Sequence, residues 1–287
     1  MTEVTELQSE VQALLEEEDI ETVVELLNNR HPAEIGGVID ELEAESAFFL
    51  FDRLDRRTQA RILPYMQESH QLSMVQHLSR HAQARLLTDM NADERADLYQ
   101  ELPEEVQETL MPALAKAERE DLLRLTSYPE GTVGSVMTSE YATVPAHITA
   151  RQAIERLRFQ ALNKETIYVA YVLDADRRLL GIVTLSGLVV ASPQEAVEDL
   201  MQTEVVNVHT DAPSAEAAQL IADYDLLAIP VVDDDDRMVG IVTHDDAMDV
   251  QEAEATEDIH KGATVGNLPG SLKETALTTL YQKRIAW

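Results

Sequence analysis

The sequence predicts a multidomain protein of α plus α/β class: an N-terminal solenoid of short helices, a duplicated α/β module, and a C-terminal helix. Three observations lead there. Apolar residues recur with a twelve-residue period in the first part, and a block of β-branched runs repeats itself in the second. Apolar residues make up 45% of the 287 positions, enough to give each part its own core.

The period is set by Leu42, Leu54, Met66, Leu78, Met90, Leu102 and Leu114. Eight residues after each stand Leu50, Ile62, Met74, Leu86, Leu98, Leu110 and Leu122, followed directly by Phe51, Leu63, Val75, Leu87, Tyr99, Met111 and Leu123. A helix of about nine residues and a tight turn fill one copy, and helices that short bury their apolar stripe only by stacking on neighbours. Cap formers or helix starters follow the first column at Asp55, Ser79, Asn91 and Pro103. Asn91 and Glu94 have the spacing of a capping box. Asp93 and Asp97, four apart, share one helical face.

After Ser127-Tyr128-Pro129-Glu130-Gly131 the pattern changes to strands at Ile167 to Leu173, Leu179 to Thr184, Leu227 to Val232 and Met238 to Thr243. Val136-Met137-Thr138 matches Leu200-Met201-Gln202. Tyr171-Val172-Leu173-Asp174 through Gly181-Ile182-Val183-Thr184 matches Pro230-Val231-Val232-Asp233 through Gly240-Ile241-Val242-Thr243. With Gly240-Ile241-Val242-Thr243-His244-Asp245-Asp246, each copy resembles a CBS domain. In that family the Thr and the last Asp contact a nucleotide's phosphate and ribose, which makes Thr243 and Asp246 candidates for ATP or another adenine nucleotide. The bland alternative for the pair is a strand-end hydroxyl and a helix-capping carboxylate. The first copy departs from the pattern, because Gly187 stands where the Asp is expected. Asp233 to Asp236 reads as a solvated hairpin loop rather than a metal site.

Charge limits the partners. Lys and Arg number 22 and Asp and Glu 54, so the formal charge is 22 − 54 = −32, which repels nucleic acid and attracts cations. Cysteine is absent, excluding disulfides and thiolate metal sites. The acidic start lacks the basic and apolar regions of a signal peptide, and no apolar run approaches the roughly 20 residues that span a bilayer, so the reading is a soluble, cytoplasmic chain. No nucleophile–base set, P-loop or dinucleotide fingerprint supports catalysis. From Asp245 to Asp258 seven acids stand without a base: Asp245, Asp246, Asp249, Glu252, Glu254, Glu257 and Asp258. Like charges one turn apart each destabilise a helix by roughly 0.2–0.5 kcal/mol, so the segment calls for cations or a basic partner. Oxygen-only donors suit Mg2+. Histidine usage does not suggest a softer metal, since there is no HExxH and His77 and His81 straddle a turn.

The order of parts, with Met90-Asn91-Ala92-Asp93-Glu94-Arg95-Ala96-Asp97-Leu98, Tyr224-Asp225-Leu226-Leu227-Ala228-Ile229-Pro230-Val231-Val232 and Glu254-Ala255-Thr256-Glu257-Asp258-Ile259-His260-Lys261, resembles the cytosolic region of MgtE magnesium channels. The resemblance implies an N domain over 1–130, CBS domains over 131–198 and 199–260, and a connecting or plug helix over 261–287 leading to a transmembrane pore domain. It implies a homodimer at the cytoplasmic face of the membrane that closes when Mg2+ binds. Asp93 and Asp97 would share ions with Asp246 and Asp249. Asp225, with the carbonyl of Ala222, would bind at the CBS surface, and Glu254, Glu257 and Asp258 near the terminal helix. Around Pro213 and Ala215 the family often carries acids that are missing here, although Glu216 is adjacent. The segment from Lys261 to Trp287 holds four bases, one acid and a terminal Trp, as suits a membrane interface, and its end reads as a stop before the pore.

Overall fold

In a computed structural model the chain divides into two compact units, one ending at Thr126 and the other beginning at Ser127. Residues 2–17, 19–162 and 164–262 are described, with side chains from residue 6 to residue 256 within those stretches.

The first unit is a run of short helices: α1 (Thr2–Glu16), α2 (Ile20–Asn28), α3 (Pro32–Asp40), α4 (Ala44–Phe51), α5 (Arg56–Ile62), α6 (Glu68–His77), α7 (Arg80–Asp89), α8 (Ala92–Glu101), α9 (Glu104–Leu110) and α10 (Lys116–Leu125). The twelve-residue period is the helix-plus-turn period. Its middle column, from Leu50 to Leu122, is buried in every copy, each side chain contributing about 1.5–3 kcal/mol of transfer free energy. The third column is buried from Phe51 to Tyr99, but Leu123 is 52% exposed. Within this unit the last helix has no following repeat to stack on.

The turns are closed by the expected residues, with one correction. The Asp55 carboxylate accepts the Arg57 and Thr58 N–H groups at 3.0 and 3.2 Å, and the Thr58 hydroxyl at 2.6 Å holds its carboxyl below the usual range. Ser79 accepts the Ala82 N–H at 3.4 Å. Asn91 takes the N-cap backbone conformation but its side chain makes no cap bond, so the expected capping box is not formed. The acids Asp93 and Glu94 stand in that first turn, where negative charge favours the helix start.

The second unit is a pair of βαββα modules. The first holds β1 (Tyr141–Thr143), α11 (Ala150–Gln160), β2 (Thr166–Leu173), β3 (Leu179–Thr184) and α12 (Leu185–Val190). A short helix, α13 (Val197–Leu200), leads to the second, made of β4 (Val208–His209), α14 (Ser214–Tyr224), β5 (Ala228–Val232), β6 (Met238–Thr243) and α15 (His244–Gly262). Each sheet is ordered as its strands occur, the first pair parallel and the second antiparallel. The strands β1 and β4, three and two residues long, are too short to show as periodic runs in the sequence.

The modules are joined by an exchange. Thr138, ahead of the first module, trades backbone hydrogen bonds with Ile241 of β6 at 2.8 and 3.0 Å, while Gln202, ahead of the second, trades them with Ile182 of β3 at 2.9 Å each. This explains both repeated glycines. A Cβ on Gly181 would lie 2.5 Å from the Gln202 carbonyl oxygen, and one on Gly240 2.5 Å from the Met137 Sδ and 2.9 Å from the Thr138 carbonyl oxygen. The Tyr141 hydroxyl adds a further tie by donating to the Met238 carbonyl at 3.0 Å.

Candidate metal and ligand sites

The acidic helix α15 follows β6 without a loop, so Thr243 is the last strand residue and Asp245 and Asp246 stand in the first helical turn. Thr243 is buried, with 6% of its surface exposed. Its N–H donates to Asp246 Oδ2 at 3.3 Å, and its hydroxyl contacts both the Asp245 and Asp246 carboxylates. A hydroxyl has a single proton to donate. Two carboxylate oxygens therefore converge on one hydroxyl, and Asp246 has the Thr243 N–H as a second donor. Asp246 thus fulfils the capping alternative, and Asp245 joins it, a contact the sequence motif does not signal. In the first module Thr184 accepts the Gly187 N–H at 3.0 Å and the Ser186 hydroxyl at 3.1 Å, a cap with no carboxylate.

Asp249, one turn further along α15, has its carboxyl pushed above the usual range, first by desolvation and then by the charges of Asp245 and Glu252. Asp249 is itself exposed, and a carboxylate set beside two others on one helix is the electrostatic condition a divalent cation relieves. Glu254 is exposed on the same helix, while the side chains of Glu257 and Asp258 and the expected terminal helix from residue 263 lie outside the described residues.

On α14, which packs against α15, Asp225 is the C-cap in left-handed conformation (φ 56°), its N–H donating to the Ile221 carbonyl. Asp tolerates that conformation better than most residues. Both Asp225 and Ala222 are exposed, and Ala222 belongs to the last turn, whose carbonyls have no intrahelical partner.

In the first unit, α8 carries Asp93 half-buried and Asp97 exposed. Arg95 between them is 4% exposed, turned into the repeat stack, where it lies 3.5 Å from both the Leu87 carbonyl and Asp121 Oδ2. Asp97 is thereby set on the outer side of the helix, whereas Asp93 keeps its Oδ1 buried. A third group, which no sequence motif marks, is His209, Asp211 and Asp234, with one potential ligand atom from each lying within 4.8 Å of the others.

Comparisons with known proteins agree with this layout. The family model of the MgtE intracellular N domain matches residues 30–131, and that of the CBS domain matches residues 133–193 and 197–253. The magnesium transporter MgtE of Thermus thermophilus is 36% identical over 280 residues, 96% of this chain and 62% of that protein, so the chain spans under two thirds of that relative's length. A crystal structure of the cytosolic domain of the Mg2+ channel MgtE in complex with ATP is 34% identical with a TM-score of 0.80, covering 85% of this chain and 99% of that one. The soluble part of a magnesium transporter gives 29% identity and a TM-score of 0.82 over 88% of this chain and 99% of that one. The N-domain match followed by two CBS-domain matches, with 34% identity to a cytosolic MgtE domain covered over 99% of its length, places the chain in the MgtE family, of which it carries the N domain and the CBS pair.

Proposed function

We propose that this chain is the Mg2+-sensing regulatory region of an MgtE-type magnesium channel, without a reaction of its own. The observation that supports it most is the run of carboxylates on α15, where exposed Asp249 stands one turn from Asp245 and close enough to Asp245 and Glu252 for their charges to raise its carboxyl along with partial desolvation. Such a strip is unfavourable empty and favourable with a hard dication bound. The acids assigned to Mg2+ are Asp93 and Asp97 on the first unit, shared with Asp246 and Asp249 on the second; Asp225 with the Ala222 carbonyl; and Glu254, Glu257 and Asp258. Ion binding that requires carboxylates from both units lowers the free energy of the closed arrangement by the difference in affinity between closed and open states. In the intact protein that arrangement shuts a pore in the membrane, with this region at its cytoplasmic face. Among the described residues no helix is long and apolar enough to cross a membrane.

The partner is a second copy. Phe159 on α11 and Val189 and Val190 on α12 are 81, 65 and 87% exposed, and Leu188, Val189 and Ile154 line a groove between those helices. Arg151, Glu155 and Arg158 also line that groove, and exposed apolar side chains beside charges of both signs suit a symmetric contact.

The alternative reading is an adenine-nucleotide sensor. It is favoured by the Thr243–Asp246 pair in the second module and by the ATP bound in the related cytosolic domain. Gly187 in place of an acid argues for one such site, not two. Small-angle scattering separates the readings: Mg2+ alone should shorten the radius of gyration of the chain. An unchanged radius in Mg2+, with compaction only on adding ATP, would favour the nucleotide sensor instead.

A further inference from the structure

The His209, Asp211 and Asp234 group lies within the second module and belongs to neither the acidic helix nor the capping threonine. His209 ends β4 and pairs with Val232 of β5, and Asp234 sits in the β5–β6 hairpin that directly follows that strand. The hairpin is held by Asp233, whose carboxylate accepts the N–H groups of Asp235 and Arg237 at 3.0 and 2.9 Å. Asp233 thus keeps the structural role expected of a hairpin loop, which leaves Asp234 to project its carboxylate toward the neighbouring strand. It reaches His209, with Oδ1 3.2 Å from the ring Nε2. Asp211, two residues beyond His209, contributes the third ligand atom within 4.8 Å of the other two. Ligand atoms about 2.0–2.2 Å from a common tetrahedral ion are roughly 3.3–3.6 Å apart, so the group needs only a small inward rotation of exposed side chains to hold one. Buried Thr210 anchors the strand end between them, its N–H donating to the Val232 carbonyl at 3.0 Å and its own carbonyl accepting the Gly134 N–H at 2.9 Å.

We propose that His209, Asp211 and Asp234 form a second metal site, for a borderline first-row ion such as Co2+ or Zn2+, chemically distinct from the oxygen-only Mg2+ sites. The donor set makes the distinction. Imidazole together with carboxylates suits Zn2+ and its first-row neighbours, whereas Mg2+ takes oxygen and keeps its waters. In the metal-free ring Nδ1 faces the Asp211 N–H at 3.3 Å and so carries the lone pair, leaving the proton on Nε2 toward Asp234. The ion replaces that proton. The proton returns through water to Nδ1, with loss of the long Asp211 contact, so a neutral ring binds without net proton release. Both acids are exposed, so ion entry needs no opening of the fold.

The test is titration of the whole chain with Co2+ in millimolar-range Mg2+, which occupies the oxygen sites, following the visible d–d bands and, in parallel, their loss on adding Zn2+. We expect one equivalent of Co2+ to bind under Mg2+ excess, with affinity at least about ten-fold lower in His209→Ala and reduced in Asp234→Asn. His147→Ala, which removes an imidazole from the first module, should change nothing. Co2+ that is fully displaced by Mg2+, or that binds His209→Ala as tightly as the parent, would overturn the site. Circular dichroism on each variant separates lost binding from lost folding. Because the Mg2+-dependent compaction is read separately by scattering, failure here leaves the Mg2+ reading standing, and the reverse also holds.

Discussion

The side-chain amide of Gln83 donates a 2.8 Å hydrogen bond to the carbonyl of Val75, eight residues back and at the end of the preceding helix. The contact recurs along the solenoid. Gln59 donates to the Phe51 carbonyl at 2.7 Å, Arg95 approaches that of Leu87 at 3.5 Å, and Gln71 and Gln107 bond the carbonyls of Met66 and Leu102 at 2.9 and 2.8 Å. These polar residues are themselves twelve apart, and at Phe51, Val75 and Leu87 they reach a carbonyl near the helix end that also accepts the N–H three residues on, at 3.2, 3.1 and 3.4 Å. The Val75 carbonyl also accepts the Leu78 N–H at 3.1 Å, so Gln83→Ala removes one of two donors and should destabilise the first unit by about 0.5–1.5 kcal/mol, the net worth of one hydrogen bond. Urea unfolding checks it, and a loss no larger than that of an exposed Gln→Ala control would count against the interpretation.

That column shows what is and is not legible in the sequence. The apolar columns are readable because burial selects side chains by period, and the strand pairs because the modules repeat. The polar column shares the twelve-residue period, but long-chain amides are common on surfaces, and only the fold shows that Gln59, Gln83 and Arg95 are inside. Similarly, Asp246 can be picked out by motif, whereas Asp245 and the His209 group depend on which turn faces which strand. No local pattern encodes that.

The glycines of the two repeated strand ends make a second prediction. Gly181→Ala pushes a methyl against the rigid Gln202 backbone, and overpacking of that kind costs about 1–3 kcal/mol. A Cβ on Gly37 in α3 would meet no atom within 4 Å, so Gly37→Ala should instead stabilise by up to about 1 kcal/mol. Thermal melts of the two variants should move in opposite directions. A Gly181→Ala melt equal to the parent would show that the exchanged segment yields.

Asp249 gives a pH dependence of definite sign. Its folded-state carboxyl is raised above the ordinary value, so the fold holds that proton more tightly than the unfolded chain does. The contribution is present below the unfolded pKa and is lost as pH rises through the folded one; at neutral pH without metal, ionised Asp249 is a burden. Asp249→Asn should raise the melting temperature in EDTA at neutral pH, and the gain should shrink as pH falls through the carboxylate range. Mg2+ should stabilise the parent more than the variant. A gain in EDTA that does not vary with pH would rule out the titration of Asp249 as its source.

The sharing of ions between Asp93 and Asp97 on one unit and Asp249 on the other is tested by a double-mutant cycle. Asp246 is left out of it because its carboxylate also caps Thr243, and its loss would mix ion binding with helix stability. Unit charges about 4 Å apart at an effective dielectric near 20 repel by roughly 4 kcal/mol, less at exposed positions in salt. If both sets hold the same ion, Asp93→Asn with Asp97→Asn should weaken Mg2+-driven compaction and ease compaction in EDTA, because one side of the repulsion is gone. Asp249→Asn should do the same. Combining them should cost little more than either alone, since an ion already lost cannot be lost again, giving a coupling energy in the range of about 0.5–3 kcal/mol for residues that share a partner. Scattering across a Mg2+ titration supplies the four midpoints of the cycle. Effects that add within about 0.3–0.5 kcal/mol would mean that each unit binds its own ion, and the shared-ion mechanism would have to be abandoned even with Mg2+ binding intact.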